Sequence, residues 1–361
     1  MHVSALDHYL LLGRSGLRVS PFALGGAAFG EEWGWGTHKK ESQRIFDAYV
    51  DRGGNFIDTS NVYNEGTSET WLGEFMRSKR DRIVVSTKYS NSLDRADANA
   101  GGNHRKSIVR AVEGSLKRLQ TDYIDVYMLH AWEYRTPVEE IMRAQDDLVR
   151  AGKILYLGVS NAPAWIIAQA QCLADRYGWA PIINIQAEYN LVERTAELEL
   201  LPMACAMGIG VSPWSPTAGG LLTGKYGRED MRAAALKPGE APSRGDFVRS
   251  RLDERSLRIA AMVVEIADEM GCKPAHIALR WLIEQQGVCS PILGCRTAAQ
   301  LIENLDCLSI SLSDDQLLKL GVESEPVKIV PYNTIQGEIV PMQITGGLKV
   351  DHSPNPNGAC Q

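Results

Sequence analysis

Several patterns that would assign a chain of 361 residues to a familiar class are missing from this sequence. No apolar run reaches the roughly 20 residues that a membrane-spanning helix needs. The first residues, MHVSALDHYLLLGRSG, have no basic stretch ahead of an apolar one, so we expect no secretory signal. These two absences favour a cytoplasmic protein without a membrane partner.

Basic surfaces and metal-binding spacings are missing as well. The formal net charge is −6, and no stripe of Lys and Arg with interleaved aromatic residues occurs, which argues against a nucleic-acid partner. The histidines show no pair with the spacing of metal ligands, and the cysteines form no C-x-x-C motif. We therefore predict no metal site.

One unit recurs along the chain: a short apolar run, a polar loop and a longer segment of helical periodicity. The apolar runs occupy residues 21–26, 55–58, 82–88, 123–130, 153–161, 182–186, 209–214 and 288–294. Glycines, which favour the left-handed cap of a helix, follow helical segments at Gly53, Gly152, Gly178, Gly208 and Gly271. This alternation predicts a (β/α)8 TIM barrel.

The alternative fold is a doubly wound open sheet, which usually carries G-x-G-x-x-G after its first strand. Here the first strand leads into GGAAFGEEWGWG, which does not fit that motif. Residues 9–20 predict a β-hairpin that plugs the bottom of the barrel, and residues 226–254 predict a long loop. We assign the barrel to residues 1–320 and a C-terminal extension to residues 321–361, with a flexible end. The extension could cover the barrel mouth, mediate assembly or be disordered.

Polar residues stand where the predicted strands stop, and the active site of a TIM barrel lies at the carboxyl ends of its strands. The strands end on Asp58, Lys88, His130, Ser160, Asn161, Gln186 and Trp214, with Tyr63 and Arg296 in the loops that follow. Each residue alone has an ordinary explanation, such as a helix cap or a solvated side chain. Because all of them converge on one rim, we predict an active site there.

Asp58 and Lys88 are expected to face each other at neighbouring strand ends. A buried carboxylate or ammonium is costly alone, whereas a pair can persist and keep the lysine charged. We expect this cation to lower the pKa of the Tyr63 phenol and make it a usable general acid. His130 would bind or orient the same substrate oxygen. The group suits protonation of a carbonyl oxygen while hydride arrives at carbon.

Over roughly residues 9–320 the chain resembles the aldo-keto reductases, which are (β/α)8 barrels that use a nicotinamide cofactor. The motifs that carry this likeness are GRSGLRVS, GGNFIDTSNVYNEGTSE, STK at 86–88, YMLHAW at 127–132, GVSN at 158–161, QAEYN at 186–190, SPWSPTAGGLLTGKY at 212–226 and ILGCRTAAQLIENL at 292–305. The catalytic tetrad of the family falls on Asp58, Tyr63, Lys88 and His130. Residues 102–125 look most like the aryl-alcohol dehydrogenase branch.

The resemblance also implies a cofactor site. Ser160, Asn161 and Gln186 would hold the nicotinamide carboxamide, and Trp214 would stack on the nicotinamide ring. The pyrophosphate would be bordered by Gly219, Gly220 and Lys225. The adenosine end would be bound by Arg296, Gln300 and Asn304, which share one face of the last barrel helix because they are spaced by four. Arg296 suits a 2′-phosphate, which favours NADPH or NADP⁺ over NADH.

Four aromatic residues near the tetrad suggest the substrate. Trp33, Trp35, Tyr89 and Trp132 would line a flat apolar pocket for an aromatic carbonyl or alcohol, although tryptophans that merely pack a loop are the alternative. The chain is thus predicted to be an NADPH-dependent oxidoreductase of aldehydes, ketones and alcohols. A second hypothesis is a redox-sensing regulatory subunit that binds the cofactor and a protein partner, as some members of the family do. A barrel enzyme without redox chemistry would require the whole cofactor rim to be coincidence.

Overall fold

The computed structural model of the protein describes residues 3–232, 248–337 and 339–349. The strands are β1 (Leu10–Leu11), β2 (Arg18–Val19), β3 (Ala23–Gly25), β4 (Phe56–Asp58), β5 (Val84–Tyr89), β6 (Ile124–Leu129), β7 (Ile154–Ser160), β8 (Ile182–Gln186), β9 (Gly210–Val211) and β10 (Ile292–Leu293). The first two form an antiparallel hairpin, and the other eight form one parallel sheet in the order β10-β3-β4-β5-β6-β7-β8-β9.

The two edges of the parallel sheet meet, so the sheet closes into a barrel. Val211 of β9 forms a parallel bridge with Val288. Backbone hydrogen bonds of 2.8 Å run from the Cys289 amide to the Val211 carbonyl and from the Ile292 amide to the Pro213 carbonyl. All neighbouring strands of this sheet are parallel. The predicted (β/α)8 barrel is confirmed, and the carboxyl ends of its strands share one rim.

Helices surround the sheet and connect its strands. They are α1 (Lys39–Val50), α2 (Thr67–Met76), α3 (Arg105–Leu119), α4 (Val138–Arg150), α5 (Ala164–Tyr177), α6 (Leu200–Ala206), α7 (Arg228–Arg232), α8 (Glu254–Met270), α9 (Pro274–Ile283), α10 (Ala298–Leu305), α11 (Asp314–Glu323), α12 (Tyr332–Ile335) and α13 (Ile339–Thr345). The glycines predicted to follow helices all have positive φ, as at Gly178 (63°) and Gly271 (63°). Left-handed backbone ends these helices because glycine adopts it without a steric cost.

The hairpin closes the barrel end opposite the carboxyl ends of the strands, as predicted. Leu12 and Val19 pack with Phe56, Val126 and other inward-facing strand residues in one buried apolar cluster. Gly13 sits so close to the sheet that a Cβ atom there would lie 2.3 Å from the Ile183 carbonyl oxygen. An apolar floor therefore lies beneath the polar rim.

Two predicted irregular regions are partly ordered. The long loop predicted at 226–254 contains α7 and the first residue of α8, and residues 233–247 lie outside the described part of the chain. The C-terminal extension begins within α11, and Arg255 binds it by donating to the Ser324 carbonyl oxygen at 2.7 Å. The predicted flexible end lies outside the described residues. Among the helices that the structure describes, none is both long and apolar enough to cross a membrane.

Candidate active site

The centre of the catalytic rim is the ion pair of Asp58 and Lys88. Strands β4 and β5 are parallel neighbours with Asp58 level with Ser86, so Lys88 lies two residues further toward the rim. Its Nζ lies 2.6 Å from Asp58 Oδ2, and the two side chains are 1% and 3% exposed. A charge this deeply buried persists only with a partner and with its remaining hydrogen bonds satisfied. The predicted ion pair is therefore present, and both of its side chains are shielded from solvent.

The Lys88 ammonium uses all three of its N–H donors. Besides Asp58 Oδ2, it donates to the Thr59 carbonyl oxygen at 2.8 Å and to the Tyr63 phenol oxygen at 3.3 Å. Burial lowers the pKa of Lys88, but the charges of Asp58 and Tyr63 outweigh burial and raise this pKa above its ordinary value. Since the phenol accepts from a charged lysine, its own proton is free to point toward a ligand.

The pKa of Tyr63 does not move in the predicted direction. Burial raises it above the ordinary tyrosine value, and this outweighs the Lys88 cation, which lowers it; Asp58 raises it further. The expectation of a lowered phenol pKa is wrong because the phenol loses more from desolvation than it gains from the cation. Tyr63 is therefore a protonated phenol at neutral pH, which is the form that can donate.

Tyr63 is held by an unusual turn. The next three residues, Asn64, Glu65 and Gly66, all have left-handed backbone, with φ of 47°, 55° and 95°. The side-chain nitrogen of Asn64, Nδ2, donates to the Ala27 and Phe29 carbonyl oxygens at 3.1 and 3.2 Å. These hydrogen bonds fix the segment that leads to Trp33 and Trp35 against the turn that follows Tyr63.

His130 follows β6 and faces the phenol. The two rings meet edge to face, with centroids 5.8 Å apart. Its Nδ1 lies 3.1 Å from Ser60 Oγ and 3.2 Å from Asn91 Nδ2. Burial, followed by the charge of Lys88, lowers the pKa of His130 to about 3. The imidazole is therefore neutral at physiological pH.

These side chains line a cavity of about 540 Å³. All four predicted tetrad residues contribute to its wall. The other predicted residues on this wall are Ser160, Asn161, Gln186, Trp214, Gly219, Asn304, Trp33 and Trp35. The cavity thus brings together the tetrad, most of the proposed nicotinamide site and two of the four aromatic residues.

Within the described part of the chain, two side-chain amides on the cavity wall form a hydrogen bond through their nitrogen but not through their oxygen. Gln186 Nε2 donates to Asp58 Oδ1 at 2.6 Å, and Asn161 Nδ2 donates to the His130 carbonyl oxygen at 2.9 Å. Their side-chain oxygens have no hydrogen-bond donor among the residues that the structure describes. Because each amide nitrogen is fixed by the protein, each oxygen is left to accept from a ligand.

Most of the predicted phosphate and adenosine residues lie outside this wall, namely Gly220, Lys225, Arg296 and Gln300, whereas Gly219 and Asn304 are on it. Gly220 has φ of 97°, and a Cβ atom there would lie 2.9 Å from Lys225 Nζ. Lys225, Arg296 and Gln300 are exposed. The Arg296 amide donates to Gln300 Oε1 at 3.0 Å, and the Ala298 amide, at the start of α10, donates to Glu41 Oε1 at 2.9 Å. One anion-binding amide of this helix is therefore already taken by a carboxylate of the protein.

Two predicted substrate residues do not reach the cavity. Tyr89 is 0% exposed, stacks on Tyr127 with ring centroids 5.1 Å apart and receives a hydrogen bond from Gln145. It points away from the barrel axis because Lys88, the residue before it, points inward. Trp132 instead packs with Leu129 and Val138 in the layer between sheet and helices. The prediction that these two residues line the substrate pocket is wrong.

The structure also shows residues near the tetrad that the sequence interpretation missed. Ser60 and Asn91 contact His130, and Asn64 donates to the loop that leads to Trp33. The cavity wall also includes residues 215–217, which follow Trp214. Ser60 and Asn91 lie two and three residues beyond Asp58 and Lys88, so polar residues just past a strand end were the signal that could have identified them.

Comparison with known proteins agrees with this geometry. The model of the Aldo/keto reductase family matches residues 21–320. The chain is 36% identical to the "Aryl-alcohol dehydrogenase [NADP(+)]" of Phanerodontia chrysosporium, over 90% of this chain and 86% of that protein. It is 34% identical to the norsolorinic acid reductase of Aspergillus flavus, over 89% and 82%. An uncharacterized oxidoreductase of Bacillus subtilis shares 37% identity, over 86% and 94%.

Proposed function

Because the chain belongs to the aldo/keto reductase family, we propose that it is an NADP(H)-dependent oxidoreductase that interconverts aldehydes or ketones and alcohols, with a preference for aromatic or flat apolar substrates. The observation that carries this proposal is the Tyr63 phenol, whose oxygen accepts from the buried Lys88 ammonium at 3.3 Å. That contact leaves the phenol proton free to point into the cavity, where a carbonyl oxygen would be reduced.

The tetrad divides the proton chemistry among its members. Tyr63 donates its proton to the substrate oxygen during reduction and takes one back during oxidation. Lys88 stabilises the phenolate that donation leaves behind, because it keeps its charge in a dry site. Asp58 holds the ammonium in place, and neutral His130 offers a hydrogen bond to the same oxygen. A bound NADPH would supply the hydride.

The residues on the cavity wall fit that cofactor. The unpartnered oxygens of Asn161 and Gln186 suit the amide nitrogen of a nicotinamide, and the Ser160 hydroxyl can donate to its oxygen. Trp214 lies beside them on the wall, where its ring can stack on the nicotinamide. Gly219 and Gly220 leave room for a phosphate to approach the backbone. The exposed Arg296 would bind a 2′-phosphate, and Asn304 lies on the cavity wall.

The aromatic preference rests on a small cluster of rings. Trp33 lies 5.4 Å from Trp35 and 5.8 Å from Tyr63, measured between ring centroids. A flat substrate that stacks on this cluster would gain about 0.5–1.5 kcal/mol per ring pair beyond the burial of its area. One of the relatives carries a name that refers to an aryl alcohol.

The direct test is steady-state turnover with a panel of carbonyls and alcohols, each assayed with NADP(H) and with NAD(H). We expect benzaldehyde-type aldehydes to be reduced with NADPH at higher kcat/KM than short aliphatic and sugar aldehydes. Tight NADPH binding without turnover of any carbonyl would instead support the redox-sensing regulatory subunit. Failure to bind either cofactor would reject the proposal.

A further inference from the structure

We propose that Asn91 is a positioning residue that fixes which nitrogen of His130 carries the proton. By donating to Nδ1, it forces the proton of the neutral ring onto Nε2, the nitrogen that is left to bind a ligand in the cavity that His130 lines. The proposal rests on the proposed reduction, because only in that reaction does the ring need to offer a hydrogen bond to a substrate oxygen.

The chemistry of the contact at Nδ1 sets the direction of the hydrogen bond. Asn91 Nδ2 lies 3.2 Å from His130 Nδ1, and an amide nitrogen can donate but cannot accept. Nδ1 must therefore be an acceptor. In a neutral imidazole one nitrogen accepts and the other donates, so Nε2 carries the proton.

Ser60 also lies against His130 Nδ1, but its hydroxyl does not determine which ring nitrogen carries the proton. Its hydroxyl is fully buried and lies 3.1 Å from His130 Nδ1. A hydroxyl can rotate to donate or to accept, so Ser60 is compatible with either tautomer. Asn91 is the group that selects one, because its amide nitrogen can only donate, whereas the Ser60 hydroxyl has another acceptor in Asn61 Oδ1 at 3.3 Å.

The position of Asn91 is fixed by its neighbours. The Asn61 side chain donates to the Asn91 carbonyl oxygen at 3.2 Å, and the Asn61 amide donates to the Lys88 carbonyl oxygen at 3.1 Å. Ser90, just before Asn91, has φ of 98°, and its hydroxyl accepts from the His130 amide at 3.1 Å. Strained backbone at a non-glycine residue persists where surrounding contacts require it. The loop after β5 is thus tied to His130 through both residues.

Burial and, after it, the Lys88 ammonium lower the pKa of His130 and keep the ring neutral, which the proposal requires. The titratable groups that face it are Lys88 from β5, and Asp58 and Tyr63 from β4 and the turn after it. Strands β7 and β8 contribute only uncharged groups to this part of the wall. An imidazolium beside the Lys88 ammonium is unfavourable, so the choice of tautomer is the only protonation choice left to His130 near neutral pH.

Asn91→Asp inverts this choice with almost no change in shape. A carboxylate only accepts, so it holds a proton on Nδ1 and leaves Nε2 as an acceptor. It also favours the imidazolium and raises the pKa of His130. At low pH the imidazolium still offers Nε2–H, but as the pH rises through the raised pKa the proton on Nε2 is lost. The variant should therefore lose activity with rising pH.

The experiment has a spectroscopic arm and a kinetic arm. In ¹⁵N-labelled protein, long-range ¹H–¹⁵N spectra report the tautomer of each histidine, and the signal missing from His130→Gln identifies His130. We expect the Nε2–H form in the wild type and the Nδ1–H form in Asn91→Asp near neutral pH. An Nδ1–H form in the wild type would overturn the proposal, whether or not the protein reduces carbonyls.

In the kinetic arm, kcat/KM for an aromatic aldehyde is measured between about pH 5 and 8, the range in which a histidine near its reference pKa titrates. Loss of one positioned donor costs about 100-fold in rate, so we expect that loss in Asn91→Asp at the upper end of the range. Asn91→Ala, which still permits the Nε2–H form, should lose far less. Asn99→Asp, with the same charge change at an exposed position of the same loop, is the matched control.

The outcomes separate the two proposals. A wild type that turns over no carbonyl, with His130 in the Nε2–H form, would reject the proposed function and keep the tautomer assignment. Equal losses in Asn91→Asp and Asn91→Ala, without the new dependence on pH, would reject the role of Asn91 while reduction itself stands.

Discussion

Lys88 and Arg296 are both cations of the proposed ligand site, yet the structure treats them in opposite ways. The Lys88 side chain is 1% exposed and donates to three acceptors of the protein itself. Arg296 is exposed, and its guanidinium has no ion pair among the described residues. Its backbone is fixed, since Thr37 donates to its carbonyl oxygen at 2.8 Å. The hydrogen bonds of the Lys88 centre are complete without a ligand, whereas the proposed adenosine end has a fixed backbone and a charge without an ion-pair partner among the described residues.

Because of this contrast, substitutions at the two ends should change different measured properties of the protein. A change at the centre removes contacts that exist in the free protein, so it alters stability and the chemical step. A change at Arg296 removes only a contact that a ligand would complete, so it alters binding alone.

The largest effect is expected for Tyr63→Phe, which removes the proton and leaves the ring. General acid catalysis contributes about 10²- to 10⁴-fold, so kcat/KM for an aromatic aldehyde should fall by that factor. NADPH affinity, measured by fluorescence titration, should stay close to that of the wild type because the phenol acts on the substrate oxygen. Turnover near the wild-type rate would remove Tyr63 from the acid role.

Lys88→Met should show that the centre is held together before any ligand arrives. Breaking a buried ion pair leaves the Asp58 carboxylate without its counter-ion and costs about 3–5 kcal/mol in the free energy of unfolding. The control is Lys319→Met, which breaks a pair with Asp315 at 3.5 Å in which the lysine is 49% exposed. An exposed pair contributes at most about 1 kcal/mol. Urea denaturation that gives equal losses for both variants would erase the contrast.

Arg296→Ala should act on binding without touching the fold. A hydrogen bond to a charged group contributes about 1.5–3 kcal/mol, which corresponds to roughly 10- to 150-fold in NADPH affinity. NADH, which lacks the 2′-phosphate, should lose little, and the unfolding curve should not move. Equal losses for both cofactors in fluorescence titrations would mean that Arg296 does not read the phosphate.

The smallest effect is expected at Trp33, which lies on the cavity wall and is 37% exposed. Trp33→Ala removes one stacking surface, so the ratio of kcat/KM for a benzaldehyde to that for a short aliphatic aldehyde should fall by roughly 2- to 12-fold, equivalent to about 0.5–1.5 kcal/mol. Trp165→Ala is the control, because Trp165 is 59% exposed and lies in α5, away from the cavity wall. An unchanged ratio in Trp33→Ala would leave the aromatic preference without its pocket.

The barrel and the tetrad could be predicted because both follow from where strands stop. Alternating apolar runs and helical segments define the barrel, and a residue at a strand end must lie on the rim. The direction in which a side chain points was harder to predict for residues at or just after a strand end. Tyr89 could have been excluded from the sequence alone, since neighbouring residues of a strand face opposite sides. Trp132 lies in a loop, where no periodicity fixes the direction of a side chain.

The direction of a pKa shift and the contacts between distant side chains could not be predicted from the sequence for a different reason. The sign of the Tyr63 pKa shift depends on how much water burial removes relative to the pull of Lys88, and that balance needs coordinates. The contacts of Asn91 and Ser60 with His130 join three loops that are far apart in the chain. Glu41 at the start of α10 is a similar case, because it comes from α1.

The strands of the barrel are unequal in length, which has a consequence for its motions. β5, β6 and β7 have six, six and seven residues, whereas β9 and β10, whose edges close the barrel, have two each. Fewer ladder hydrogen bonds mean a smaller free energy for local opening. Backbone amides around Val211 and Ile292 should therefore exchange with deuterium sooner than those around Lys88 and Met128. We therefore expect the closure beside Trp214 to open locally more often than the strands that lead to Lys88 and His130.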